Sequence, residues 1–315
     1  MSLQEEKGRR FQALHAGEPF VIPNPWDAGS ARVLAALGFE ALATTSSGLA
    51  FTLGRPDGGA TLDEVVEHTR TLDRATELPV SVDLENGYGP QPKAAALAIT
   101  RAADAGAVGG SIEDYDPAGR IYGLEHAVER VTAAVEAARR LPFPFTLTAR
   151  AENHIRGNPN LEDTIARLQA FERAGADVLY APGLRNVDEI RTVCDAVSRP
   201  VNVLARPNLS FAEIAGAGAQ RVSVGGGLTG SRCALSPMQR PRFATTAIFP
   251  RSTRGCRSTS GSRAADGQRS AGACSASHAF ARRFCARVSH ASTTSSSSSS
   301  RSILARSGIR IRTAG

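Results

Sequence analysis

The chain has 315 residues, of which 42% are hydrophobic, 21% charged and only 5% aromatic, enough apolar material for a buried core in one large domain or two small ones. Its apolar runs fall well short of the ~20 residues of a membrane span, and the opening MSLQEEKGRR has no signal core, so a cytoplasmic protein outside the membrane is expected. The net charge of +7 suggests a polyanion partner only until it is divided: residues 1–230 carry −7, while residues 231–315 carry +14 from 15 Arg, no Lys and the single acid Asp266.

Over the first 230 residues, short β-branched runs alternate with Ala/Leu/Arg/Glu-rich stretches of helical spacing. In chain order, strands are predicted near 19–23, 41–46, 80–85, 108–113, 145–150, 177–182, 201–205 and 221–225. Helix starts are marked by Thr61 with Glu64 three residues on, and by Asn160 before LEDTIARLQAFERAG. Helix ends are marked by Leu37-Gly38, Ala105-Gly106 and Ala174-Gly175. Eight strands alternating with helices predict an α/β fold, a closed (β/α)8 barrel of the TIM type over residues 1–230, in preference to an open doubly wound sheet. In such a barrel the chemistry lies where strands end. Polar clusters stand there: Pro25-Trp26-Asp27, Ser46-Ser47-Gly48, residues 83–86, Glu113-Asp114, residues 150–153, and Asn202 inside the seventh strand.

The remainder, 231–315, reads as a separate basic tail. Arg and Ser make up 34 of its 85 residues, it holds four of the five cysteines and the serine run 295–300, and it has no sustained apolar period, so disorder is expected. Pro237, Pro241 and Pro250 stand where the eighth helix belongs. Each costs about 3 kcal/mol in a helix interior, so that helix is expected to be missing and the full chain to be poorly soluble or misassembled. The lysine-free, acid-poor text suggests that the chain leaves its native reading frame near residues 228–232, which would leave an inactive product. An RNA-binding tail would be expected to bring aromatics or regular Arg-Gly-Gly or Arg-Ser repeats; it has neither, so nucleic acid is not an expected partner.

The stretch SVDLENGYGP, residues 81–90, carries the most chemistry. Carboxylates two residues apart on a strand share a face, so Asp83 and Glu85 are expected to reach the mouth together and hold a divalent ion, with Glu113 or Asp114 on the adjacent strand. An oxygen-only set favours Mg²⁺ or Mn²⁺ over zinc. In TTSSGLAFTLGRPDGG, residues 44–59, the hydroxyls of Ser46 and Ser47 and the backbone amides of the Ser-Gly-Leu step are candidates for binding an anion, and Asp57 for a base or orienting group. Arg150 is the natural cation for a substrate carboxylate or a developing enolate. His154 is the histidine nearest the predicted mouth, His15, His68 and His126 read as surface groups, and Cys194 as a small buried apolar residue.

The order PNPWDAGSARVLAALGFEALATTSSGLA, LGRPDGG, VDLENGYG, GSIED, TARAE and PVNVLA resembles the isocitrate lyase/phosphoenolpyruvate mutase superfamily, in particular its small mutase-like members, from about residue 10 to 230. The resemblance implies a barrel enzyme that binds Mg²⁺ and a small 2-oxo or 2-hydroxy acid, works through a pyruvate-type enolate, and assembles as a homo-oligomer. It implies that Ser47, Gly48 and Leu49 form the loop for the substrate carboxylate, that Asp57 is the active-site loop acid and Arg150 the substrate arginine, and that Asp83, Glu85 and Glu113 hold the metal. Together with the strand-end reading, which adds Ser46 and Asn202 to the substrate-binding candidates, the expected catalytic residues are Asp57, Arg150 and Glu113. Two departures stand out. The isocitrate-type lyases carry a loop cysteine after the fourth strand, whereas EDYDPAGRIYG, residues 113–123, has none; the sixth strand, VLYAPG, lacks the histidine of mutase and decarboxylase members. A lyase that cleaves a carbon–carbon bond is the first expectation, and phosphorus–carbon chemistry on a phosphonopyruvate-like acid the alternative.

Overall fold

The computed structural model describes residues 1–228; the expectations for the tail, the missing eighth helix included, fall outside the described residues. Helix α1 (Leu3–Leu14) precedes β1 (Phe20–Ile22), α2 (Ala28–Ala36), β2 (Leu42–Ala43), α3 (Ser46–Thr52) and α4 (Leu62–Ala75). Then come β3 (Val80–Asp83), α5 (Pro92–Asp104), β4 (Gly109–Glu113), and a small hairpin of β5 (Tyr115–Asp116) and β6 (Arg120–Ile121). The chain continues through α6 (Leu124–Arg139), β7 (Thr146–Arg150), α7 (Leu161–Arg173), β8 (Val178–Tyr180), α8 (Val187–Asp195), β9 (Val201–Leu204), α9 (Phe211–Gly216) and β10 (Arg221–Ser223). A 3₁₀ turn at Gly225–Leu228 follows.

The eight long-range strands are all parallel and run β1-β10-β9-β8-β7-β4-β3-β2, each coinciding with a strand predicted from the sequence. Pro23 has no N–H with which to extend the ladder between β1 and β2. The gap is closed instead by Ala43 N–H donating to the Pro23 carbonyl (3.0 Å) and by the Asn24 amide donating to the Ala43 and Thr44 carbonyls. Asn24 Oδ1 also accepts the Val224 and Gly225 N–H groups, so one side chain ties both margins of the sheet into a barrel.

Local signals account for the helices. Thr61 and Glu64 form a capping box on α4, Asn160 caps α7, and Gly175 turns with φ 98 after it. The first polar cluster is also a cap: Asp27 and Ser30 close a capping box on α2. On α5, Ala95, Ala98, Ile99, Ala102 and Ala103 recur at helical spacing, and this flat stripe packs with Ala134, Ala137 and Ala138 of α6 and with Val82, Leu84, Phe145 and Leu147. Each large apolar side chain buried there contributes about 1.5–3 kcal/mol. At the opposite end of the strands, Phe11 of α1 closes the bottom with Phe20, Ile22 and Val108.

Candidate active site

The barrel interior is polar where a packed barrel would carry Val, Ile and Leu. Ser81 and Asp83, Ser111, Arg150, Asn202, and Arg221 with Ser223 line a cavity of about 360 Å³, the size for a small ligand. Ser46, Ser47, Asp57 and Tyr180 also line it.

Arg150 ends β7 in register with Glu113 at the end of β4. Its guanidinium donates from Nη1 to Asp83 Oδ1 at 2.9 Å, from Nη2 to Glu152 Oε1 at 2.8 Å and from Nε to the same oxygen at 3.0 Å; Nη2 also lies 3.0 Å from Glu113 Oε2. Burial would favour loss of its proton, but Glu152, Glu113 and Asp83 outweigh it and hold Arg150 charged. Tyr180 presents its ring 5.2 Å from the guanidinium. Arg156 reaches in from the rim, 3.5 Å from Glu113 and 3.2 Å from Glu152, and stacks 3.8 Å over Tyr115 of the hairpin.

Even with Arg150 beside it, burial holds the Glu113 carboxyl well above the usual range, with repulsion from Glu152 and Asp83 adding to the rise. Glu85 is pushed up to about 7, first by burial and then by Asp83 and Asp57. The mouth therefore holds more carboxylates than its guanidinium groups neutralise. Among the described residues no three acidic, histidine or cysteine side chains are gathered closely enough to bind one ion directly. An all-oxygen, over-acidic set of this kind fits a hard cation that keeps several of its waters, as Mg²⁺ does.

Glu85 departs from the expected geometry. β3 ends at Asp83, and Glu85 sits at φ 47, so a turn and not strand alternation aims its side chain, which accepts the Tyr88 hydroxyl at 3.3 Å. Gly87, at φ 77, makes that turn possible: a Cβ there would lie 2.8 Å from the Ala95 Cα. Buried Arg130 of α6 fastens the turn from behind, donating to the carbonyls of Asn86, Gly89 and Pro90. Of the two acids ending β4, Asp114 is a brace: it accepts the Glu152 N–H at 2.8 Å and pairs with Arg167 at 3.0 Å.

The Ser-Gly-Leu step forms the first turn of α3 instead of an open loop. The Ser46 N–H is given to Asp83 Oδ2 at 3.1 Å and the Ser47 hydroxyl pairs with that of Thr45. Ser46 and Ser47 line the cavity, whereas Gly48 and Leu49 are buried behind it, with Leu49 in the core. Asp57 is an exposed rim residue, and Glu85 and Glu113 are outside the cavity wall itself. Asn202 is on the wall but committed, accepting from Arg221 Nε at 2.8 Å and donating to Ser223 at 3.0 Å.

The histidines are placed differently from expectation. His154 is buried against Thr164 (3.0 Å) and lies outside the cavity wall. His15 and His68 are half-buried instead of solvated: His15 is wedged between the Phe11 and Phe20 rings, and His68 Nε2 is buried without a partner. His126 is half-buried as well and bonds the Pro90 carbonyl at 2.8 Å. Cys194 is a free, half-buried thiol pushed up to about 12 by burial, which suits an inert packing residue. Sequence reasoning left Glu152, Tyr180, Arg156 and Arg221 without a role. Glu152 was accessible from its two-residue spacing to Arg150, and Arg221 from its shared parity with Ser223 on the last strand.

Residues 11–240 match the phosphoenolpyruvate phosphomutase family. A Burkholderia cenocepacia structure described provisionally as a lyase/mutase is 51% identical with a TM-score of 0.71, covering 77% of this chain and 90% of that one. Oxaloacetate decarboxylase of Paraburkholderia xenovorans is 32% identical over 216 residues, 64% of this chain and 69% of the relative. 2-Methylisocitrate lyase of Halalkalibacterium halodurans is 30% identical over 208 residues, 63% of this chain and 67% of the relative. With the parallel barrel and the polar mouth already described, these matches establish that the chain belongs to the isocitrate lyase/phosphoenolpyruvate mutase family of lyases and mutases.

Proposed function

We propose that the chain is a divalent-metal-dependent lyase that cleaves a carbon–carbon bond of a small 2-oxo or 2-hydroxy acid by way of an enolate. The observation that carries this reading is a buried guanidinium, Arg150, held among Asp83, Glu113 and Glu152 at the mouth of a cavity of about 360 Å³. Asp83, Glu85 and Glu113 are the residues that would hold Mg²⁺ or Mn²⁺, and the ion, when bound, supplies Lewis-acid polarisation of the 2-oxo group.

The chain's own residues do the rest. Arg150, fixed before substrate arrives, offers positive charge where the enolate oxygen gains negative charge, and it costs no reorganisation at that moment. The Ser46 and Ser47 hydroxyls on the cavity wall orient the substrate carboxylate. Asp57, whose carboxyl is held above its usual range by desolvation at the cavity mouth and by the Asp83 charge, is the group that keeps or passes a proton, while Glu113 serves the metal. The loop 113–123 contains no cysteine, which argues against an isocitrate-type cleavage that uses a thiol acid and keeps phosphorus–carbon chemistry on a phosphonopyruvate-like acid as the alternative.

The test is turnover of oxaloacetate, 2-methylisocitrate, dimethylmalate and phosphonopyruvate by the purified chain with Mg²⁺. Metal-dependent release of product that Arg150→Met loses is expected. Turnover that persists at full rate in Arg150→Met, or after chelation, would overturn the reading.

A further inference from the structure

A second guanidinium lies deeper in the same cavity. Arg221, the first residue of β10, is buried and contributes to the cavity wall. Its Nε donates to Asn202 Oδ1 at 2.8 Å, Nη2 to Thr148 Oγ1 at 3.0 Å, and Nη1 lies 3.2 Å from His15 Nε2. Nδ1 of His15 is 2.8 Å from the Phe11 carbonyl, which only accepts, so Nδ1 carries the proton and Nε2 receives one from Arg221. Burial, and then the Arg221 charge, lowers His15 to about 3, so this partner is neutral.

All these partners of Arg221 are therefore uncharged, and among the described residues no carboxylate lies within 4 Å of it. Arg150, Arg156 and Arg167, by contrast, each face acids. Burial brings Arg221 down to about 10, which still leaves a cation at neutral pH. A buried charge without a counter-ion is strongly unfavourable unless something of opposite sign completes it.

The strand register relates the two cations. Glu113, Arg150, Tyr180, Asn202 and Arg221 are successive partners across β4, β7, β8, β9 and β10. Strands in a closed barrel tilt, so such a line moves along the axis as it crosses the sheet. The bond to Thr148 fixes the direction: Thr148 stands two residues before Arg150 on the same face of β7, about 6.6 Å lower along the strand. Acids crowd the upper cation, and only neutral groups meet the lower one.

We propose that Arg221, with the Ser223 hydroxyl beside it, forms a second anion subsite on the cavity floor that takes the distal carboxylate of a dicarboxylic 2-oxo or 2-hydroxy acid. The assignment rests on the function proposed above and adds to it a residue, Arg221, as the cation in the barrel that reads the second carboxylate.

Malate and lactate differ by that one carboxylate and serve as probes in calorimetric titrations of the full chain with Mg²⁺. The wild type is expected to bind malate at least tenfold more tightly than lactate. Arg221→Gln should remove this preference and leave lactate binding unchanged, while Arg221→Lys, a point charge without the fork, should keep only part of it. A malate preference that survives in Arg221→Gln overturns the subsite. If Arg221→Gln does not fold by circular dichroism, the wild-type ratio and Arg221→Lys decide: a ratio near one, or the same ratio in both, overturns it. Lactate binding without a malate preference counts against Arg221 alone, whereas failure of both acids to bind also removes the function on which it rests.

Discussion

Arg150→Met tests the charge balance at the mouth. The substitution keeps apolar bulk but leaves Asp83, Glu113 and Glu152 without the guanidinium now 2.8–3.0 Å away. The side chains of Glu113 and Glu152 are 6% and 1% exposed, so water cannot simply replace the lost donors. Removing one partner from a buried ion pair costs about 3–5 kcal/mol; three acids share this one, but Arg156 still touches two of them, so a loss of about 4 kcal/mol at pH 8 is expected. The loss must also depend on pH. Burial already raises Glu113 above its unfolded value near 4.3, and removing Arg150 raises it further. A carboxyl raised in the folded state destabilises the fold as pH climbs from its unfolded pKa through its folded one. The deficit should therefore shrink at pH 5.5. Urea denaturation of wild type and variant at the two pH values measures it, and Arg150→Lys, which retains the charge without the fork, should recover about half. A deficit under about 1 kcal/mol at pH 8, or one that grows at pH 5.5, would refute the reasoning.

Three further outcomes follow from the same geometry. Mg²⁺ in 100-fold excess over its dissociation constant should stabilise the wild type by about 2.7 kcal/mol and leave Asp83→Asn nearly unmoved in a thermal melt; equal shifts in both proteins would argue against the metal site. His68 is held near 4 by burial against 6.5 unfolded, so the unfolded chain takes the proton first and stability falls as pH drops from 6.5 toward 4. With allowance for its partial exposure this amounts to about 1–2 kcal/mol; His68→Leu should escape it, and a difference between the two proteins that stays constant from pH 7 to pH 4.5 would contradict the assignment. Gly87→Ala puts a Cβ at φ 77 against the Ala95 backbone, 2.8 Å away; the expected cost is above about 2 kcal/mol, measurable by denaturation, and a neutral change would show that the turn is not constrained.

Local chemistry was enough to determine the architecture. Alternating β-branched runs located all eight barrel strands, and Thr61-Glu64 and Asn160 located helix starts, because each signal is complete within a few residues of chain. The residues of the mouth were legible for the same reason: polar groups at strand ends converge in any parallel barrel. Their interactions were not. Glu85 left the expected face because the strand stopped at Asp83, and Ser46-Ser47-Gly48 coiled into α3, both outcomes of how neighbouring strands and helices close over them. Arg150 meets Asp83 across 67 residues of sequence, and Arg221 reaches His15 across 206. Which guanidinium is neutralised and which is left charged is a sum over side chains from several strands in a medium that screens weakly, and only the closed barrel brings those terms together.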